Sequence, residues 1–154
     1  MDAAIGLAEA GQQYLLPGSL LRSEAEVLSV TSRPAAKAEA TLFAVPGGEP
    51  LLHLHRIRRV ARAPVLHSRI AMVASRVPDF PRETNKVPGI RIAAVREKVT
   101  AEVATREDRK LLGLPAPSAV LVIDEEAYDQ SGALAILSQH RATTAHHYYS
   151  NEIR

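Results

Sequence analysis

The chain has 154 residues, 46% hydrophobic and 23% charged, which fits one folded domain with a real core and excludes a disordered chain. It has no cysteine, which excludes a disulfide scaffold, a zinc ribbon, an iron–sulfur site and a thiol nucleophile. Nineteen Lys and Arg stand against seventeen Asp and Glu; the net charge is only +2 and the basic residues are dispersed, so charge gives no argument for nucleic acid.

No apolar run approaches the roughly 18 residues of a membrane span, and the N-terminus lacks a basic-then-apolar signal. A soluble, cytoplasmic, single-domain protein with no membrane partner is the expectation. Arg outnumbers Lys fifteen to four. A GC-rich genome would produce that bias, and so would guanidinium forks that hold an anion.

Residues 1–29 are rich in Ala, Leu and Glu and are broken by Pro17-Gly18; they read as a short helix, a turn and a lead-in strand. The folded domain is expected over 30–154, where an internal repeat appears at an offset of 69 residues. Val30-Thr31 matches Val99-Thr100, Leu42, Val45 and Pro46 match Leu111, Leu114 and Pro115, and Leu51, Leu52 and Leu54 match Val120, Leu121 and Ile123. Each copy reads as an extended entry, a helix, a Pro-marked turn and two strands.

In the first copy Ser32 is a candidate cap and Pro34 suits a first helical turn, with the helix running to about Phe43. In the second, Thr105 caps, Glu107 and Asp108 suit the positive N-terminal end, and Gly113 terminates after Leu112. Residues 50–60 (PLLHLHRIRRV) alternate as a strand, with Leu52, Leu54, Arg56 and Arg58 on one face. The two leucines predict that this face is buried, so the arginines continue a core-facing row. The opposite row, Leu51, His53, His55, Ile57 and Arg59, is expected at the surface, its apolar members needing a cover.

After a turn near Arg62 to Pro64, residues 65–73 form the partner strand, whose row Leu66, Ser68, Ile70, Met72 is apolar except for Ser68. Residues 119–128 are a third strand and Asp129-Gln130-Ser131-Gly132 a hairpin turn. Residues 134–143 return with Leu134, Ile136, Ser138 and His140 on one face. The fold class that follows is α+β: an antiparallel sheet flanked by helices, in two helix-plus-hairpin halves joined by a Pro-rich connection over 76–98.

Arg56 and Arg58 carry the chemistry. An unpaired buried guanidinium costs several kcal/mol, so each must find an acceptor. Two readings stand: a salt bridge with Glu125, which occupies the repeat position equivalent to Arg56, or a grip on a ligand phosphate or carboxylate. His53 and His55 lie two apart on a strand but have no third ligand nearby, so no metal site is expected. Ser68 and Ser138 sit in no Gly-x-Ser-x-Gly elbow, and the sequence has no P-loop, no Gly-x-Gly-x-x-Gly and no His-Glu-x-x-His. No catalytic residue and no cofactor are assigned.

The run HLHRIRRVARAPVLHSRIAMV resembles the Arg-x-Arg strand, turn, Pro and following strand of the UTRA domain. The stretch VTAEVATREDRKLLGLPAPSAVLVIDEEAYDQSGALAILS resembles that family's second half, with its Leu-Gly-Leu-Pro and Tyr-Asp-x-x-Gly hairpin. The resemblance spans about residues 28–149. It implies the chorismate lyase-like fold and the effector-binding half of a HutC-type GntR transcription regulator. It also implies a homodimer that meets DNA only through a winged helix absent from this chain, with residues 1–29 as a linker remnant.

By the same resemblance Arg56 and Arg58 grip an anionic metabolite, and the connection contributes Thr84 and Asn85. Ser68 stands where the family often has a carboxylate, and the second-half carboxylate position falls on Leu137 or Ser138, depending on a one-residue gap. With neither acidic, the expected ligand is a smaller or less polar anion, held by Arg56, Arg58, Ser68, Thr84, Asn85, Ser138 and His140. The alternatives are a chorismate lyase-like enzyme eliminating pyruvate, and a structural dimerisation module whose arginines pair only with Glu125 or Glu126.

Overall fold

The computed structural model describes residues 12–16, 19–20, 23–78 and 91–151. Their centre is a six-stranded antiparallel sheet. Its strands are β3 (Ser23–Pro34), β4 (Pro50–Val60), β5 (Ala63–Val73), β6 (Ile92–Val103), β7 (Ala119–Asp129) and β8 (Leu134–Ala142). They lie in the order β3-β4-β5-β8-β7-β6. A smaller three-stranded sheet joins β1 (Gln12–Leu16) to β2 (Ser19–Leu20) and to β9 (Tyr148–Asn151). Where residues before Pro17 are described they are strand rather than the expected short helix, because Gln12–Leu16 pairs with the far end of the chain.

The repeat organises the sheet. Ser23–Pro34, Lys37–Phe43 and Pro50–Val60 of the first half recur as Ile92–Val103, Arg106–Leu112 and Ala119–Asp129 of the second, each bound 69 residues on. The halves meet where β5 pairs with β8, Arg69 opposite Gln139. Helices α1 (Lys37–Phe43) and α2 (Arg106–Leu112) follow β3 and β6. α1 packs Phe43 and Ala40 against Leu51, Val73 and Leu134. α2 lies over the same sheet face, where its Asp108 meets His67. The other face carries Leu54, Ile70, Met72 and Ile136.

Local chemistry explains the boundaries. The β4–β5 hairpin closes through Ala61 (φ 49°) and Arg62 (φ 68°), two consecutive positive-φ residues of the kind that match strand twist. The Asp129 carboxylate accepts from the backbone N–H groups of Ser131 (2.8 Å) and Ala133 (3.1 Å), fixing the β7–β8 turn where the sequence placed it. In α2, Thr105 Oγ1 accepts from the Asp108 N–H at 3.1 Å and Asp108 Oδ2 from the Thr105 N–H at 2.7 Å, with Gly113 closing the helix at φ 65°.

Two expectations are corrected. Ser32 does not cap α1 and Pro34 is not in its first turn; both belong to β3, which tolerates proline because it is an edge strand and a ladder donor is not required there. α1 is instead closed by Glu39, which accepts from the Ala36 N–H at 2.9 Å and receives both Arg33 Nη groups at 2.7 and 2.8 Å. The row of Leu51 and Ile57 is not an outer surface awaiting a partner. It faces the helices, with Leu51 0% and Ile57 1% exposed.

Candidate functional site

Strand register builds the site. Across β4, β5 and β8, Arg56 lies opposite Ser68 and Ser68 opposite His140. One row along, Ile70 faces Ser138, Ser138 faces Glu125, and Glu125 faces Glu97. Directly opposed residues share a sheet face, so these polar side chains occupy the face away from the helices. Arg56, Arg58, Ser68, Glu125, Ser138 and His140 are all between 0 and 7% exposed. A polar island therefore sits within a sheet face that is apolar around Leu54, Ile70 and Met72.

Ser68 Oγ and His140 Nδ1 are 2.7 Å apart, and His140 Nε2 lies 3.9 Å from Glu125 Oε2. Burial pushes the Arg56 guanidinium below its ordinary pKa, and the charge of Glu125 opposes that shift. Burial also pushes Glu97 up. The Tyr149 hydroxyl, which donates to Glu97, works the other way, while the hydrogen-bonded and like-charged Glu125 adds to the rise. Two polar atoms stand out: Ser138 Oγ and His140 Nε2 are buried with no hydrogen-bond partner among the described residues. Such atoms cost free energy unless something else satisfies them.

The structure thus brings together five of the residues singled out in the sequence, Arg56, Arg58, Ser68, Ser138 and His140. It resolves the one-residue gap: Ser138 shares the face of Ser68, and Leu137 points to the helix side with Ala71 and Leu134. Thr84 and Asn85 lie outside the described residues. The two positions read as lacking a carboxylate, Ser68 and Ser138, are joined on the same face by Glu125 and Glu97. Glu125 was visible as the repeat counterpart of Arg56; Glu97 carried no sequence signal, since only register sets it against Glu125.

The helix face has its own polar features. A cavity of about 720 Å³ is lined by Arg33, Glu39, His53, His55, Arg69 and Asp124 among others. Its guanidinium forks are engaged, Arg33 by Glu39 and Arg69 by both oxygens of Glu107 at 2.7 Å. His53 and His55 line it, and among the described residues no group of three potential ligands is arranged for a metal. From His55 a buried chain runs inward: His55 Nε2 to His67 Nδ1 at 3.1 Å, then His67 Nε2 to Asp108 Oδ1 at 2.7 Å. Arg141 grips the same carboxylate through Nε and Nη2 at 2.9 to 3.1 Å.

A family model for the UTRA domain matches residues 20–147. The fold is similar to the ligand-binding domain of a GntR-family transcriptional regulator from Bordetella bronchiseptica, with a TM-score of 0.82 at 18% identity, covering 92% of this chain and 96% of that one. It is also similar to a transcriptional regulator from Streptomyces coelicolor (TM-score 0.72, 18% identity, 94% and 99% covered). For PhnF from Mycobacterium smegmatis the values are 0.74, 16%, 82% of this chain and 60% of that protein. At such identities these likenesses establish the fold. No curated protein matches the chain.

Proposed function

The chain belongs to the UTRA domain family, and on that premise we propose that its polar island holds a small anionic metabolite whose binding is the regulatory signal. It is a ligand-sensing domain of the GntR regulator type and acts by binding, leaving its ligand unchanged. Arg56 and Arg58 supply the forks for the anion, and Ser68, Ser138 and His140 supply hydrogen bonds beside them. The reading extends to a cytoplasmic homodimer whose geometry the metabolite biases. Linkage then requires that the metabolite bind two geometries of that dimer with different affinity.

The observation that carries this reading is the pair of unsatisfied buried atoms, Ser138 Oγ and His140 Nε2, on the same face as the two buried arginines. An arginine row that served only a salt bridge would leave them without purpose. A thermal-shift screen over metabolite anions tests it. A ligand at about 100 times its dissociation constant stabilises by roughly 2.7 kcal/mol, a melting rise of about 5–10 °C for a domain of this size. Arg56→Met keeps much of the aliphatic stem and removes the fork, so it abolishes that rise in a folded protein. A Met variant that responds fully to the same anion sinks the reading.

A further inference from the structure

Among the described residues the six-stranded sheet ends in β3 on one side and β6 on the other, and the repeat makes these two edges equivalent. They are protected very differently. β3 breaks register with β4 between Val27 and Ser29 and ends in Pro34, which has no N–H to offer. A bulge and a proline are devices that keep an edge from pairing. From Ala94 to Val103, β6 has neither. It runs there in unbroken register with β7, and among the described residues no strand pairs with its outer side. That side is a regular row of backbone donors and acceptors, a template for another strand. The side chains beside it on the island face are apolar, with Val99 44% and Val103 74% exposed and Ala101 between them.

We infer that β6 pairs antiparallel with β6 of a second copy of this chain, Thr100 facing the partner's Thr100, and so joins two six-stranded sheets into one. The inference rests on the homodimer reading and names its interface. A two-fold axis perpendicular to the sheet keeps each face on its own side, so one residue of β6 must face its own copy. Charge selects which. With Lys98 or Glu102 at the axis, like charges meet. With Val99 there, Arg96 would face the partner's Glu102 and be drawn off Glu126, which holds it within the chain. With Ala101 there, no charges pair. With Thr100 there, Lys98 lies opposite the partner's Glu102, twice by symmetry, and Val99 lies opposite the partner's Ala101. Lys98 has no ion pair among the described residues. Glu102 receives Arg141 on one oxygen and keeps its side chain 51% exposed, open to a second cation. The register also aligns the two islands. The row of Arg56, Ser68 and His140 continues through Ile123 to Val99, and the row of Arg58 continues through Leu66, Ala142 and Leu121 to Ala101. Val99 against the partner's Ala101 therefore places the anion grips of the two copies at the ends of one continuous row.

The chain has no cysteine, so single cysteine substitutions read the interface directly. Opposed Cα atoms in an antiparallel pair lie about 4.5–5.5 Å apart, a separation that a disulfide spans. Under mild oxidation Thr100→Cys runs at twice the chain mass on a non-reducing gel. Thr31→Cys, on the β3 edge, runs at the mass of one chain. Lys98→Glu sets an acid against the partner's Glu102 at two places and raises the dimer dissociation constant about tenfold or more in light scattering, whereas Lys98→Arg leaves it unchanged. Thr100 and Lys98 are both exposed, so the variants keep the far-UV circular dichroism of the parent chain. Cross-linking led by Thr31→Cys, Val99→Cys or Ala101→Cys overturns this interface and leaves the homodimer standing. So does a dimer that Lys98→Glu leaves as tight as before. An unsubstituted chain that stays monomeric at every concentration overturns both.

Discussion

Asp108 is a costly side chain to remove. The sequence gives it a helix-end task, a negative charge at the positive N-terminal end of α2, and the structure buries it at 0% exposed. Its carboxylate accepts from His67, from Arg141 through two nitrogens, and from the Thr105 backbone. Asp108→Ala strips the capping box, worth about 1 kcal/mol. It also leaves Arg141 and the buried His67 without their carboxylate, and breaking a buried pair costs about 3–5 kcal/mol. The total of about 4–6 kcal/mol lowers the melting temperature by roughly 10–20 °C. Urea unfolding with an unchanged m-value reads it directly. The pH dependence has a definite sign. Burial would raise the Asp108 pKa, but hydrogen bonds from Arg141, His67 and Thr105 outweigh it and hold the carboxyl well below the usual carboxylate range. A depressed folded pKa gives stability that is present above the unfolded value of about 3.9 and lost as pH falls through the folded one. Asp108→Asn should therefore flatten the loss of stability below about pH 4. A cost under about 1 kcal/mol for Asp108→Ala, or an unaltered acid limb, refutes the buried-anchor account.

The two helix ends give a paired expectation, because Ala44 (φ 52°) and Gly113 (φ 65°) occupy equivalent left-handed positions. Ala44→Gly raises stability by about 0.5–1 kcal/mol, and Gly113→Ala lowers it by about 1 kcal/mol through backbone strain alone, since nothing lies within 4 Å of an added Cβ. In the homodimer proposal, the edge strand β6, with Val99 44% and Val103 74% exposed, is a surface for a partner copy. Light scattering should give about twice the 16.7 kDa chain mass, and the monomer mass at micromolar concentration counts against it.

The parts of the fold that sequence makes legible are those fixed by near neighbours. Thr105 and Asp108 announce α2, Asp129 to Gly132 announce a hairpin, and alternation places Arg56 and Arg58 in one row. What stays hidden depends on long-range pairing. Both faces of β4 are buried, Leu51 and Ile57 on one and Leu54 and Arg58 on the other, so period-two alternation cannot tell which face the helices cover. Ser32 and Pro34 look like a helix start until β3 is seen to pair with β4 as far as Pro34. Glu97, in the run Arg96-Glu97-Lys98, looks like solvated charge, and only the β6–β7 register sets it against Glu125.

The repeat also shows where the two halves diverge. Glu39 and Asp108 stand at the same place in their copies and each closes its helix. Glu39 takes its guanidinium from Arg33, half exposed at 49%, in a pair of the kind worth about 1 kcal/mol or less. Asp108 takes its own from Arg141 within the buried His67 cluster. α2 is thus pinned to the sheet far more firmly than α1. At the other equivalent pair the charge itself inverts, Arg56 in one half and Glu125 in the other. In the proposed site, an anion on Arg56 that also meets Ser138 or His140 crosses the β5–β8 pairing where the halves join, and so couples the firmly anchored second half to the half with the looser α1.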